Sequence, residues 1–189
     1  MAKQFPALDA ALTDFIGRQR IFFTASAADG ARINLSPKDG KSFRVLGPNR
    51  AAWLDQTGSG NETAAHLRAD GRLTVMFCAF EGLPQILRLY GRGRIVPRGG
   101  DEYAALLAEP FGGEEPAGAR QIVVLDFDLA QTSCGYGVPL FDYVDERPNL
   151  IRWATAQGED GMDAYRRRKN AVSLDGLPTG LIEDAPAAE

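Results

Sequence analysis

Apolar positions recur along this chain with two different periods. In "PALDAALTDFIGRQ", Leu8, Leu12, Phe15 and Ile16 fall at helical spacing, with Asp9, Thr13 and Gln19 off that stripe and Gly17 near its end. The spacing predicts a short amphipathic helix over about 7–18. The period then changes. "RIFFTASA" and "RINLS" flank the Asp-Gly of "ADGA", and "SFRVLG" and "RAAWLDQ" flank a Pro-Asn pair. Each couple reads as a hairpin. "RLTVMFCAF" is an almost unbroken apolar run, predicted as a buried strand. "QILRLYGRGRIVP" sets Ile86, Leu87, Leu89 and Tyr90 against Arg88, Arg92 and Arg94, a long strand in which Gly91 and Gly93 mark a bulge or bend. "DEYAALLAEPF" reads as a short helix. "RQIVVLDFDLAQTSCGYG" opens as a strand alternating Val123, Leu125, Phe127 and Leu129 with Val124, Asp126 and Asp128. From about residue 140 the pattern turns to helix, break, helix, followed by a Pro/Gly-punctuated end expected to wrap over the body or fray.

The predicted order is helix, four strands, helix, two strands, helix, one strand, then helices. A doubly wound sheet would need a helix between most strands. Short strands joined by hairpins argue for an antiparallel barrel.

Composition narrows the function classes. The 189 residues suffice for one domain, and 44% hydrophobic with 24% charged residues is an ordinary globular profile. The net charge of −4 argues against a non-specific nucleic-acid binder. One histidine and two distant cysteines, Cys78 and Cys134, exclude a zinc site and give no support to a disulfide framework, and the cysteines read as reduced core thiols. No apolar run reaches membrane-spanning length, and the N-terminus lacks a signal peptide's apolar core. The default expectation is a cytoplasmic protein without nucleic-acid or membrane partners.

The stretch "DQTGSGNETAAHLRADG" carries the candidate chemistry. It is not a nucleoside-triphosphate loop, because Gly60 is followed by Asn61 and Glu62 instead of Lys and a hydroxyl residue. It lacks the third glycine of a dinucleotide fingerprint. Ser59 and Glu62 make a capping box, with Asp70-Gly71 as a stop, predicting a helix from about 60 to 70. Two readings stay open on the residues alone. The helix start is either a well-capped connector or an anion site, with Thr57, Ser59, Asn61 and Thr63 adding donors and Glu62 opposing. Positive charge would come from Arg32 and Lys38 in "RINLSPK", which also read as solvated strand-edge charges. Trp153 reads as a helix anchor, and Arg166-Arg167-Arg168-Lys169 as a solvated helix end.

"ARINLSPK", "RAAWLDQTGSGNETAAHL" and "RLTVMFCAFEGLPQILRLYGRGRIV", in this order and spacing, resemble the FMN-binding split-barrel family related to pyridoxamine 5'-phosphate oxidase. The resemblance spans about residues 10–130. "SCGYGVP" and "YRRRKNAVSLDGLPTG" point to an uncharacterised branch. It implies a mainly β (α+β) antiparallel split barrel with short flanking helices over 1–139, and a helical extension over 140–189 that packs on the barrel or on a dimer partner. It further implies a homodimer with FMN at the interface, where Tyr136, Trp153 or the basic run Arg166-Arg167-Arg168-Lys169 would be candidates to cover the partner's cofactor. Arg32 and Lys38 would then contact phosphate or ring. Asn34 and Ser36 share their strand, Thr57 sits at the ribityl-phosphate end, and Gln85 lies within one residue of a ring-contacting position. Ser59, Asn61, Glu62 and Thr63 form the phosphate turn, but Asn61, Glu62 and Thr63 stand where the oxidase has Ser-Arg-Lys. Two cations are missing and an acid is added. The Arg and His with which the oxidase grips its substrate are not recognisable, and His66 sits in the predicted helix. The expectation is an FMN-dependent oxidoreductase on an unidentified small molecule, with no catalytic residue assigned and no metal. The alternatives are a non-catalytic flavin-binding sensor or carrier, or the same barrel holding haem or a deazaflavin; the single histidine disfavours haem.

Overall fold

The two periods of the sequence become two kinds of element in the structure, a computed structural model that describes residues 2–182. The strands are β1 (Lys3–Phe5), β2 (Ile21–Ser26), β3 (Asn34–Asp39), β4 (Phe43–Gly47), β5 (Arg50–Gln56), β6 (Arg72–Cys78), β7 (Ile86–Pro97) and β8 (Ala119–Ser133). The helices are α1 (Ala10–Gly17), α2 (Glu62–Ala69), α3 (Asp101–Ala108) and α4 (Asn149–Lys169). All eight strands join one antiparallel sheet in the order β3-β2-β6-β7-β8-β5-β4, with β1 added on β8. Both predicted hairpins form, β2 with β3 and β4 with β5. The strand β1 has no counterpart among the predicted elements; three residues are too few for a period to declare itself. The end of the tail that was expected to wrap or fray, 183–189, lies outside the described residues.

The sheet curls because its long strands bend at defined places. Its register slips between Tyr90 and Gly91, where a side chain on Gly91 would meet the Asp126 carbonyl oxygen at 2.1 Å. Gly93 leaves room for Leu67 of α2, which would lie 2.8 Å from an added Cβ. The first glycine thus permits the bulge and the second the helix packing. Inside the curl, Phe22, Phe43, Trp53 and Phe77 make an edge-to-face cluster, with ring centroids of Phe22–Phe43 and Phe43–Phe77 both 5.0 Å apart. Leu73, Val75, Leu87, Leu89 and Leu125 pack around it. A second apolar layer, with Leu54, Val96, Tyr103, Ile122 and Val124, holds α3 against the sheet.

The predicted break in the C-terminal helix is Gly158, at φ 65 and ψ 176 inside α4. Trp153 and Tyr165 stack edge-on across it, with centroids 4.9 Å apart. The cysteine expectation needs correction. Cys78 is buried, and burial pushes its thiol above the ordinary range, but Cys134 is exposed beyond the last apolar pair of β8. No described helix is long and apolar enough to cross a membrane.

Candidate functional site

Strand β5 leads from the apolar core, at Trp53, to a buried carboxylate two residues on. Asp55, opposite Gln121 in the β5–β8 ladder, is only 4% exposed. Its Oδ1 accepts from Lys38 Nζ at 2.7 Å, and its Oδ2 accepts from Arg120 Nε at 2.8 Å and Gln121 Nε2 at 2.9 Å. Lys38 belongs to β3, at one end of the strand order, and Asp55 to β5, near the other. Their ion pair therefore ties the two margins of the open sheet. Burial by itself would raise the Asp55 carboxyl; the charges of Arg120 and Lys38 outweigh it and hold the group below the usual carboxylate range. A buried acid so paired is costly to disturb, because removing one partner leaves the others charged and dry.

The loop from Thr57 to Asn61 leaves this acid and starts α2. The predicted capping box does not form. Asn61, not Ser59, is the N-cap residue, and it makes no side-chain cap. The helix begins at Glu62, so Ser59 stands exposed, too far upstream to reach the first turn. The Asn61 Oδ1 instead accepts from Gln121 Nε2 at 2.8 Å, while its Nδ2 is buried with no partner. Glu62 turns outward, its carboxylate accepting the N–H of Leu174 at 3.0 Å. The acid that opposed an anion site in the sequence thus has another occupation. Among the described residues, no acceptor is found for the main-chain N–H groups of Gly58, Ser59, Gly60 or Asn61.

The C-terminal segment holds the same loop from behind. Arg166 donates from Nε to Thr57 Oγ1 at 3.0 Å and from Nη2 to the Ala119 carbonyl at 2.8 Å. Thr57 Oγ1 itself donates to the Gly118 carbonyl at 2.9 Å. Asn170 accepts from Arg120 Nη1 at 2.9 Å and donates to the Gly58 carbonyl at 3.1 Å. Arg120 also donates to the Gly60 carbonyl at 2.9 Å. Reading Arg166 as part of a solvated helix end is therefore wrong: it is 6% exposed, whereas Arg167, Arg168 and Lys169 are exposed as expected. The signal was present in the helical period, since Met162, Arg166 and Asn170 are spaced by four and all three are buried.

The other sequence-derived residues divide among three places. Asn34 and Ser36 flank the loop's helix: Asn34 Nδ2 donates to Thr63 Oγ1 at 3.1 Å, and Ser36 Oγ donates to Asn34 Oδ1 at 3.1 Å. Arg32 lies before β3, its side chain 74% exposed and paired with Asp175 of the tail. Gln85, preceding β7, lines a different cavity of about 930 Å³, with Phe15, Phe80, Phe141 and Tyr143 on its walls. Lys38, Asp55, Gln56 and Gly58 share a cavity of about 690 Å³, which Arg44, Phe111 and Glu115 close from the other side. His66 faces neither; it is buried with Nδ1 at 3.0 Å from Ser26 Oγ, and its Nε2 has no partner. Sequence reasoning missed Asp55, Arg120, Gln121 and Asn170, which meet across separations of 50 residues or more.

Known proteins place this arrangement in a family. The family model described as pyridoxamine 5'-phosphate oxidase matches residues 8–134. A pyridoxamine 5'-phosphate oxidase family protein of Aspergillus flavus, ustO, is 39% identical over 190 aligned residues, covering 92% of this chain and 76% of the relative. That span reaches well beyond the family model and takes in the C-terminal segment. Among solved structures, HupZ of Group A Streptococcus aligns with TM-score 0.51 and 17% identity over 65% of this chain and 91% of that one. A candidate pyridoxamine 5'-phosphate oxidase of Lactobacillus delbrueckii aligns with TM-score 0.52 and 12% identity over 67% and 94%. At such identities these two speak for the fold alone, an antiparallel split barrel. Fold and sequence agree, and the chain belongs to the pyridoxamine 5'-phosphate oxidase family.

Proposed function

We propose that the chain binds FMN between Lys38 and the Thr57–Thr63 turn, and acts as an FMN-dependent oxidoreductase on a small molecule. The observation that carries this reading is that Lys38 and Gly58, far apart in sequence, line one cavity of about 690 Å³, a size typical of small-molecule sites. The free N–H groups of Gly58–Asn61 and the first turn of α2 suit a phosphate. Glu62 is turned to Leu174 and does not oppose it. Lys38 would hold the phosphate or the ring edge, and Asn34, Ser36 and Thr63 would orient the flavin along β3. Arg32 contributes little while it stays on Asp175. Bound FMN supplies the electron or hydride transfer, so the protein needs no nucleophile of its own.

A homodimer with the flavin between subunits belongs to the same proposal. Ile33 and Leu35, beside and on the sheet-margin strand β3, are 77% and 65% exposed, an apolar edge that a second copy would cover. Haem is disfavoured because the one histidine is sealed against Ser26. A second reading, a flavin carrier without turnover, draws support from the two groups best suited to move protons, Asp55 and His66: both are already committed to protein partners. Reduction of the bound flavin by NADH or NADPH with reoxidation in air separates enzyme from carrier.

Titration of ligand-free protein with FMN tests the site. Lys38→Ala should weaken binding about tenfold or more, the size of one charged hydrogen bond. Arg32→Ala and the remote Arg68→Ala should change it much less. Equal effects of Lys38→Ala and Arg68→Ala would overturn the assignment.

A further inference from the structure

The turn lacks the two cations that the oxidase carries on it, yet cations are present behind it. Arg120 of β8 reaches the Gly60 carbonyl at 2.9 Å, and Arg166 of α4 reaches Thr57 Oγ1 at 3.0 Å. Both are at least nine-tenths buried. Asn170 joins the two ends of the loop, bonding Arg120 on one side and the Gly58 carbonyl on the other. In this layer the charges of Lys38, Arg120 and Arg166 stand against one buried carboxylate, Asp55. Asp163, the acid paired with Arg166, is 62% exposed and screened by water. The main-chain N–H groups of Gly58–Asn61 have no acceptor among the described residues, and the Nδ2 of Asn61 is buried and unpartnered.

We infer that Arg120, Arg166 and Asn170 make the loop an oxyanion site by backing it with buried positive charge, so that the protein selects the phosphorylated flavin over the unphosphorylated one. They are positioning residues. None needs to touch the ligand: the guanidinium groups bind the loop's carbonyl and hydroxyl oxygens, orient its N–H groups outward, and raise the potential there across a dry layer where screening is weak. The C-terminal helix thereby becomes part of the cofactor site of its own chain. This rests on the FMN reading for the identity of the ligand, but not for the charge preference itself.

The test compares FMN with riboflavin, which lacks the phosphate, and adds inorganic phosphate as a thermal-shift probe. Arg166→Gln should weaken FMN about tenfold and leave riboflavin within about twofold, whereas a purely structural role would weaken both. Arg166→Lys, which keeps the charge, should restore most of the FMN affinity. Asn170→Asp sets a carboxylate on Arg120 and loses the bond to the Gly58 carbonyl, and should again weaken FMN far more than riboflavin; it decides the matter if Arg166→Gln does not fold. Arg167→Ala, on the exposed side of the helix, should change nothing. Inorganic phosphate should stabilise the unaltered protein and not Arg166→Gln. If phosphate does so while neither flavin binds, the charge-backed loop stands and the FMN reading falls. If FMN and riboflavin fall together in every variant, or FMN binds no tighter than riboflavin and phosphate has no effect, the inference is overturned.

Discussion

The barrel core and the layer beneath the Thr57–Asn61 loop are both dry, but they are held together by different physics. Strand β5 passes through both. Trp53 is one of four rings in the core, and two residues on Asp55 holds three donors. Core contacts are non-directional, so a residue of similar volume can replace another. In the polar layer the side chains have assigned partners, the Asn61 Nδ2 excepted, and loss of one strands the rest. The core makes the fold tolerant, and the layer makes one loop conformation specific.

That contrast can be broken most readily at Asp55. Asp55→Ala should cost about 3–5 kcal/mol in urea unfolding, because the buried Arg120 and the part-buried Lys38 would lose the carboxylate that neutralises them. Leu87→Met, fully inside the core, should cost less than about 1.5 kcal/mol. A core swap as damaging as the loss of Asp55 would dissolve the distinction. The pH dependence follows with a definite sign. The Asp55 carboxyl lies lower in the folded than in the unfolded chain, so its contribution is complete above the unfolded value of about 4 and is lost as the pH falls through the folded one. Acid unfolding should therefore lose a component below pH about 4 in Asp55→Asn, measured by circular dichroism. Gly93→Ala should have an intermediate effect of about 1–3 kcal/mol, since its Cβ would lie 2.6 Å from Leu73 and 2.8 Å from Leu67 and push α2 off β7. The smallest effect is expected at Ser59. A true N-cap would cost about 1 kcal/mol on change to alanine; here Ser59→Ala should change stability by less than about 0.5 kcal/mol. A larger loss would mean that the capping box forms after all.

These differences also explain what could be read from the sequence. Strand alternation and Gly91-Gly93 gave the barrel and its bend, because the period of apolar residues is local. Lys38 as the cation for the Thr57 turn was one of two open readings on the residues, and family resemblance tipped the balance; in the fold Lys38 and Gly58 line one cavity. Asp55 and Arg120 were invisible because a charge inside an apolar run announces a buried partner without saying which. The helix start was misjudged because Ser59 and Glu62 satisfy the local capping pattern, while Gln121 and Leu174, distant in sequence, compete for Asn61 and Glu62 and win. Arg166 could have been found: extending the helical period from Met162 through Arg166 to Asn170 singles it out from its basic neighbours.

The central claim is that a phosphorylated flavin occupies the cavity shared by Lys38 and Gly58. An absorption spectrum of the purified protein, with mass spectrometry of the ligand released on denaturation, tests it most directly. The account predicts flavin absorption bands and the mass of FMN, or their appearance on adding FMN to colourless protein. A protein that carries no flavin and takes up none at micromolar FMN, or one that releases haem or a deazaflavin, would contradict it.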